Sequence, residues 1–314
     1  MKLSVNLPRG LVLKNPIVAA SGTFGFGPEY KDLVNIGDLG GVSVKGVSPE
    51  PWPGNPPPRV WETTGGLLNS IGLQNHGVEA FCAHDLPFLR DTGTAVIVNI
   101  IGHTVEEYQR VAERLAKEPG VSALEVNISC PNIKQGGMSF GHDPDQAYLV
   151  TQAVRKGSDL PMMVKLSPNV PSPAVIAEAV QSAGADMISA INTLVGLAID
   201  KERRRPALGG TTGGLSGPAI KPIALRVVYE VAQRVKIPII GMGGITTASD
   251  VVEFLMAGAH AVMVGTVTFQ YPRRMQEIVA QLPDELLRWG FSSVQEAVGA
   301  ALPSKRGGLF DALT

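Results

Sequence analysis

Short, continuously apolar runs alternate along this chain with longer stretches in which apolar residues recur every three or four positions. The runs are Ile17–Ala20, Gly41–Val44, Ala95–Ile100, Val121–Val126, Met162–Leu166, Met187–Ala190, Ile237–Ile240 and Ala261–Val264. Unbroken apolarity predicts strands buried on both faces, as in a parallel sheet. The helical spacing predicts helices over Val105–Lys117, Asp145–Lys156, Pro173–Ala183, Ile220–Val235 and Ala248–Ala257. Eight such strands, alternating with helices, predict an α/β fold of the (β/α)8 TIM-barrel type rather than an open doubly wound sheet. The first strand-to-helix turn also lacks the GxGxxG pattern of a dinucleotide site.

Two segments do not fit the alternation and read as inserted loops at the C-terminal face of the barrel. Residues 48–75 open with a proline-rich stretch, Pro49–Arg59, that leads into Gly65 and Gly66. A polyproline II ligand for a partner domain is one reading. A rigid loop over the barrel mouth is the other, and the adjoining glycines and polar cluster favour it. Residues 193–217 are rich in glycine and polar side chains. Long loops inside a compact domain are usually functional lids. The tail from Asp284 to Leu302 reads as short amphipathic helices that close the barrel. No linker or internal repeat interrupts the pattern, so residues 1–314 are expected to form a single domain.

Composition narrows the possible functions. The chain is 44% hydrophobic and 18% charged, enough for a large core. A net charge of −1 argues against nucleic acid and against a polybasic membrane anchor. The basic cluster Lys201–Arg205 contains Glu202 and reads as a solvated loop. Only two cysteines, Cys82 and Cys130, and five scattered histidines give no metal-binding spacing. No signal-peptide core or membrane-length apolar run is present, so a cytoplasmic location is expected.

In a barrel of this type the chemistry sits at the C-terminal ends of the strands. The residues found there are Ser21, Lys45 with Gly46, Asn99, Asn127, Lys165, Ile191 to Thr193, Gly241 to Gly244, and Gly265 with Thr266. Lys45 and Lys165 each end an apolar strand, where an unpaired ammonium would cost several kcal/mol. The strand ends supply no acidic partner, so an anionic ligand is expected, with a structural ion pair as the alternative. Gly243 and Gly244 precede helix-capping residues, and Gly213–Gly217 precedes another helix. Loops after the last two strands of such barrels often bind phosphate through backbone N–H groups. After the fourth strand, Asn127, Ser129, Cys130 and Asn132 fall within one short loop. Two carboxamides flanking a thiol suit a flat polar ligand and a proton transfer. A buried structural cysteine between turn-forming asparagines is the alternative.

These segments resemble the class 1 dihydroorotate dehydrogenases, subclass B. The matching stretches are 20–27, 54–59, 69–75, 127–132, 164–168, 192–194, 213–222 and 241–245. The resemblance implies an FMN-binding barrel that oxidises (S)-dihydroorotate to orotate in pyrimidine biosynthesis. It implies that Cys130 is the base that removes the proton from carbon 5, while hydride leaves carbon 6 for the flavin. Substrate contacts would come from Lys45, Asn69, Asn127, Asn132, Asn192 and Thr193, with Ser70, Ile71, Gly72 and Leu73 in the same loop. FMN contacts would come from Ser21, Lys45, Gly46, Asn99, Asn127 and Lys165. Ile191, Gly217, Gly243, Gly244, Gly265 and Thr266 would complete them. Lys165 would stabilise negative charge on the reduced flavin.

Subclass B further implies a partner subunit carrying FAD and a 2Fe–2S cluster, which passes electrons to NAD⁺. This chain lacks the four cysteines such a cluster needs. The expected assembly is a heterotetramer of two catalytic and two partner chains. The alternatives are a fumarate-using subclass A homodimer, a dihydropyrimidine dehydrogenase-like FMN barrel, and a non-enzymatic binding barrel. His76 departs from the family pattern, which usually has proline there.

Overall fold

The structure is a computed structural model that describes residues 1–129 and 139–303. Eight parallel strands close into a barrel. They are β1 (Ile17–Ala19), β2 (Gly41–Ser43), β3 (Ala95–Ile100), β4 (Ala123–Asn127), β5 (Met162–Leu166), β6 (Met187–Ala190), β7 (Ile239–Met242) and β8 (Ala259–Val264). Each strand pairs with its neighbours in chain order, and β8 pairs with β1 to close the ring. The expected barrel is therefore the observed one. The seventh strand starts two residues later than its apolar run, because Pro238 has no N–H for a central ladder. Its carbonyl still accepts from Ile188 N at 3.0 Å.

The covering helices owe their limits to caps. Val105–Leu115 begins where the Thr104 hydroxyl accepts from Glu107 N, and it buries Tyr108, Val111, Ala112 and Leu115 on one stripe. Pro144–Gly157 starts at Asp143, whose carboxylate accepts from Asp145 N and Gln146 N. Its Pro144 occupies the first turn, where a missing N–H costs nothing. The helices Pro173–Ser182, Lys221–Ala232 and Ala248–Met256 lie within one to three residues of the expected ranges. The tail differs more. One helix, Arg274–Arg288, starts ten residues before the expected position, and the short Val294–Ala297 follows it. Met275, Ile278, Leu282 and Leu286 form its buried stripe.

The two insertions are not separate loops. Val60–Thr63, Gly66–Asn69, Gly213–Ser216 and Leu194–Gly196 form a four-stranded antiparallel sheet, in which Gly214 pairs with Asn69. Neither segment has the alternating pattern of a long strand, and the pairing lies far apart in sequence, so neither run predicts it. Arg59 fastens the proline-rich stretch: its Nε donates to Asn55 O at 2.6 Å and its Nη1 to Gln74 Oε1 at 2.5 Å. The basic cluster forms an exposed two-stranded turn, Ile199–Asp200 with Arg205–Pro206, as expected of a solvated loop. Among the described residues no helix is long and apolar enough to cross a membrane.

Candidate active site

A cavity of about 390 Å³ opens at the C-terminal face, between the barrel mouth and the insertion sheet. Ser21, Lys45 and Gly46 line it from β1 and β2, Asn99 from β3, Asn127 from β4 and Lys165 from β5. Ile191, Asn192 and Thr193 line it after β6, Gly243 and Gly244 after β7, and Gly265 and Thr266 after β8. The insertions contribute Asn69, Ser70, Ile71, Gly72 and Leu73 from one side and Gly217 from the other. All of these positions are among those expected to bear on ligands. Cys130 and Asn132 lie outside the described residues.

The wall after β4 and β6 is a hydrogen-bonded set of side chains. Asn192 Nδ2 donates to Ser129 Oγ at 2.9 Å and lies 3.5 Å from Asn127 Oδ1. Asn127 Oδ1 also accepts from Ser129 N at 3.2 Å, and its backbone carbonyl accepts from the Tyr108 hydroxyl at 2.6 Å. Thr193 is set by Asn192 Oδ1, which accepts its N–H, and by Asn169, which donates to its carbonyl. Asn69 reaches across the insertion sheet and donates to Gly214 O at 3.2 Å. Fixed amides of this kind can read the edge of a planar ligand.

The two lysines sit in different settings. Lys45 is half-buried and makes no ion pair among the described residues. Burial, then the nearby Arg59 charge, lower its pKa below the ordinary lysine range, with Glu29 opposing in part. Lys165 is only 6% exposed and donates to Ser21 Oγ at 3.0 Å. Here the expectation that no acidic partner is available fails. Glu125 Oε2 lies 4.0 Å from Lys165 Nζ. Asn127 pairs with Lys165 in the β4–β5 ladder, so Glu125 sits two residues back on the same face of β4. A search of strand ends misses it because it stands in the middle of a strand. The available signal is a lone carboxylate inside an apolar run, spaced by two from Asn127.

Glu125 is fully buried. Its Oε2 accepts from Ser43 Oγ at 2.8 Å and Asn99 Nδ2 at 2.6 Å, and its Oε1 from Ser189 Oγ at 2.9 Å. Burial alone would raise its pKa. The Lys165 charge and the three donors outweigh that and hold the carboxyl below the ordinary range.

The wall after β7 is backbone. Gly243 and Gly244 have φ of +128° and +76°. A Cβ on Gly243 would lie 2.7 Å from Ala224 Cβ; one on Gly244 would lie 2.8 Å from Lys221 Cβ and 2.9 Å from Gly217 O. Only glycine fits this turn, which brings backbone close to whatever fills the cavity. Behind it, Asp250 accepts from Thr246 N at 2.8 Å, Thr247 N at 2.9 Å and Lys221 Nζ at 2.6 Å. With Thr247 it forms a capping box at the start of Ala248–Met256. Gly241, expected in the same cluster, does not line the cavity. It lies within β7, where a Cβ would meet Phe254 at 2.6 Å. Gly213–Ser216 belongs to the insertion sheet; its Gly214 and Ser216 line the cavity, and Gly217 reaches the turn.

A glycine turn backed by a helix start suits a phosphate. Asn99, Asn127 and a buried Lys165 suit a polar ring that gains negative charge. The profile of the dihydroorotate dehydrogenase family matches residues 2–286. The chain belongs to that family. It is 53% identical over 293 residues, 93% of its length, to "Dihydroorotate dehydrogenase B (NAD(+)), catalytic subunit" of Geotalea uraniireducens (strain Rf4), and covers 96% of that protein. A protein of the same name from Desulforamulus reducens is 53% identical over 302 residues, 96% of this chain and 99% of the relative. The Bacillus pumilus (strain SAFR-032) counterpart is 52% identical over 297 residues, 95% of this chain and 96% of its own. Membership of this dehydrogenase family agrees with the resemblance carried by the strand-end and loop motifs.

Proposed function

We propose that this chain is the catalytic subunit of an NAD⁺-linked dihydroorotate dehydrogenase, oxidising (S)-dihydroorotate to orotate in pyrimidine biosynthesis. The observation that carries the reading is one cavity in which a glycine-built anion turn, a buried lysine and a set of fixed carboxamides converge, in a chain similar over nearly its whole length to subunits of that name. FMN is the cofactor we assign, and when bound it accepts the hydride from carbon 6 of the substrate.

The residues of the chain do the rest. Gly217, Gly243, Gly244, Gly265 and Thr266 offer backbone and hydroxyl groups to the phosphate end. Ser21, Gly46, Asn99, Asn127, Ile191 and Lys165 shape the ring end, where Lys165 supplies fixed positive charge in a site shielded from water. Lys45, with Asn69, Asn127, Asn132, Asn192 and Thr193, holds the carboxylate and amide edges of the substrate. Ser70, Ile71, Gly72 and Leu73 cover it. Cys130 takes the proton from carbon 5. Residues 1–314 act as one FMN-binding domain, in the cytoplasm.

Electrons then leave through a partner subunit with FAD and a 2Fe–2S cluster, in a heterotetramer of two catalytic and two partner chains. The words "catalytic subunit" in the relatives' names support a partner. So does the absence of four suitable cysteines in this sequence. The test is a visible spectrum of the pure protein before and after anaerobic dihydroorotate, followed by assays with NAD⁺ or fumarate, with and without the partner. The expected protein is yellow, releases FMN in acid, bleaches with dihydroorotate and reduces NAD⁺ efficiently only with the partner. Bleaching by dihydrouracil instead would assign the dihydropyrimidine dehydrogenase-like reading. Rapid fumarate turnover by the chain alone would assign the fumarate-using class.

A further inference from the structure

Glu125 is a full charge on the inner part of the barrel, where its direct partners across the ladder, Asn99 and Met163, are neutral and Lys165 stands two positions further along β5. Burying a carboxylate is costly, and a structural ion pair normally recovers part of that cost by contact. Elsewhere in this molecule such pairs are in contact: Arg155 with Asp186 at 2.7 Å, and Lys221 with Asp250 at 2.6 Å. Glu125 and Lys165 stand 4.0 Å apart. Both carboxylate oxygens are already satisfied by neutral donors, Ser43, Asn99 and Ser189. Lys165 turns instead to Ser21 at the cavity wall. Asn99, which also lines the cavity, spans both groups: its Nδ2 lies 2.6 Å from Glu125 and 3.3 Å from Ser21. Glu125 thus acts on the cavity through its field and through the residues it aims, without reaching the cavity itself.

We propose that Glu125 is a positioning residue that sets the reduction potential of the bound flavin, by holding a fixed negative charge against Lys165. The proposal rests on the FMN reading above. A lone Lys165 would favour the reduced, negatively charged ring so strongly that electrons would leave it slowly. Glu125 cancels part of that field, and its three donors keep the carboxylate charged and still. The consequence is a flavin that both accepts electrons from substrate and gives them up.

Glu125→Gln removes the charge and keeps the shape. The amide oxygen can accept from Ser43 and Asn99, and the amide N–H₂ can donate to a Ser189 hydroxyl that turns to accept. One elementary charge lost in a buried site is expected to favour the reduced flavin by roughly tenfold or more, ~30 mV in the two-electron potential. Glu125→Asp retains the charge and should shift the potential less. A merely structural role would move both variants alike. Ser189→Ala removes one of the three donors that keep the carboxylate charged, so the carboxyl takes up a proton more readily in acid, and there the potential should rise towards that of Glu125→Gln.

The experiment is anaerobic reductive titration of the purified holoproteins against indicator dyes, with flavin affinity measured by fluorescence. If wild type holds no FMN, the cofactor reading itself fails. If wild type and Glu125→Gln both hold FMN and the variant's potential is higher, the proposal stands; an equal or lower potential, or equal shifts for Gln and Asp, overturns it. If Glu125→Gln does not fold, Ser189→Ala decides: a potential above that of wild type in mildly acidic buffer supports the proposal, and an unchanged or lowered one overturns it.

Discussion

At the ends of β3 to β6 the cavity wall is made of side chains, Asn99, Asn127, Lys165 and Asn192, each held by a second polar group. At the ends of β7 and β8 it is made of glycine backbone, with the side chains of Asp250 and Lys221 standing behind it. The first wall works by what its functional groups carry: charge, donors and acceptors. The second works by what is missing, since a single added Cβ would collide with Ala224, Lys221 or Gly217. The two walls should therefore fail differently. Damage to the first should change chemistry and leave the cofactor bound, whereas damage to the second should release the cofactor and leave the chemistry of any retained fraction intact.

The largest effect is expected for the proposed base, Cys130, which follows β4 in the sequence. A positioned base contributes roughly 10²–10⁴ in rate. Cys130→Ala should slow flavin reduction by dihydroorotate by about that factor while flavin stays bound, as read by anaerobic stopped-flow absorbance. Cys82→Ala is the control. Cys82 is buried in the helical segment before β3, and burial pushes its thiol up to about 11, so it supplies little thiolate near neutral pH. If Cys130→Ala loses its flavin, the two walls are not separable.

On the backbone side, Gly244→Ala forces an L side chain into φ +76° and into contact with Lys221 Cβ and Gly217 O. Strain of this sort costs of order 1–3 kcal/mol, so flavin affinity should fall by roughly 5- to 150-fold. Fluorescence titration of the stripped protein with FMN reads it directly. The reduction rate of the residual holoenzyme should remain near wild type, and a slowed rate at full occupancy would contradict the comparison.

The two walls also differ in how legible they are in the sequence. Gly243 and Gly244 announce themselves, because two glycines ahead of capping residues leave few other readings. Lys45, Asn99, Asn127 and Lys165 are legible from position alone, as polar groups closing apolar strands. Glu125 is not, because its partner relation depends on the β4–β5 register, which no local pattern specifies. The insertion sheet is hidden for the same reason: Gly214 and Asn69 are paired across 145 residues. The roles of Ile71, Gly72 and Leu73 come only from family resemblance, since apolar and glycine positions in a loop carry no chemistry of their own. Barrel strands are easier because burial on both faces writes itself into consecutive residues.

A smaller effect sharpens the comparison through stability. Asp250 supports the glycine turn from outside the cavity. Burial alone would raise its pKa, but hydrogen bonds from Lys221 and Thr246 prevail and lower it. A depressed carboxyl contributes stability above its unfolded pKa of about 3.9 and loses it as pH falls through the lower folded value. Asp250→Asn should therefore cost about 1–3 kcal/mol at neutral pH. The difference should shrink in acid, as read by urea unfolding of both proteins at several pH values. A constant difference across pH would assign the effect to packing rather than charge.

The smallest effect separates the two lysines of the cavity, Lys165 on the side-chain wall and Lys45 after β2. Lys45 makes no ion pair among the described residues, and burial, then Arg59, lower its pKa, with Glu29 opposing in part. Its ammonium thus loses its proton at a lower pH than an ordinary lysine, near 10.4. If that charge holds the substrate carboxylate, binding favours the protonated form, and KM should stay flat at neutral pH and rise as pH climbs through the lowered value. Lys45→Arg should abolish the rise, because a guanidinium keeps its charge throughout the range. The expected change is a few-fold in KM with kcat less affected, since a contact made equally in ground and transition states alters binding alone. Steady-state kinetics of both proteins from neutral to alkaline pH make the measurement. A KM that is independent of pH in wild type, or that rises equally in Lys45→Arg, would remove Lys45 from carboxylate binding and leave the amide wall to hold the substrate without it.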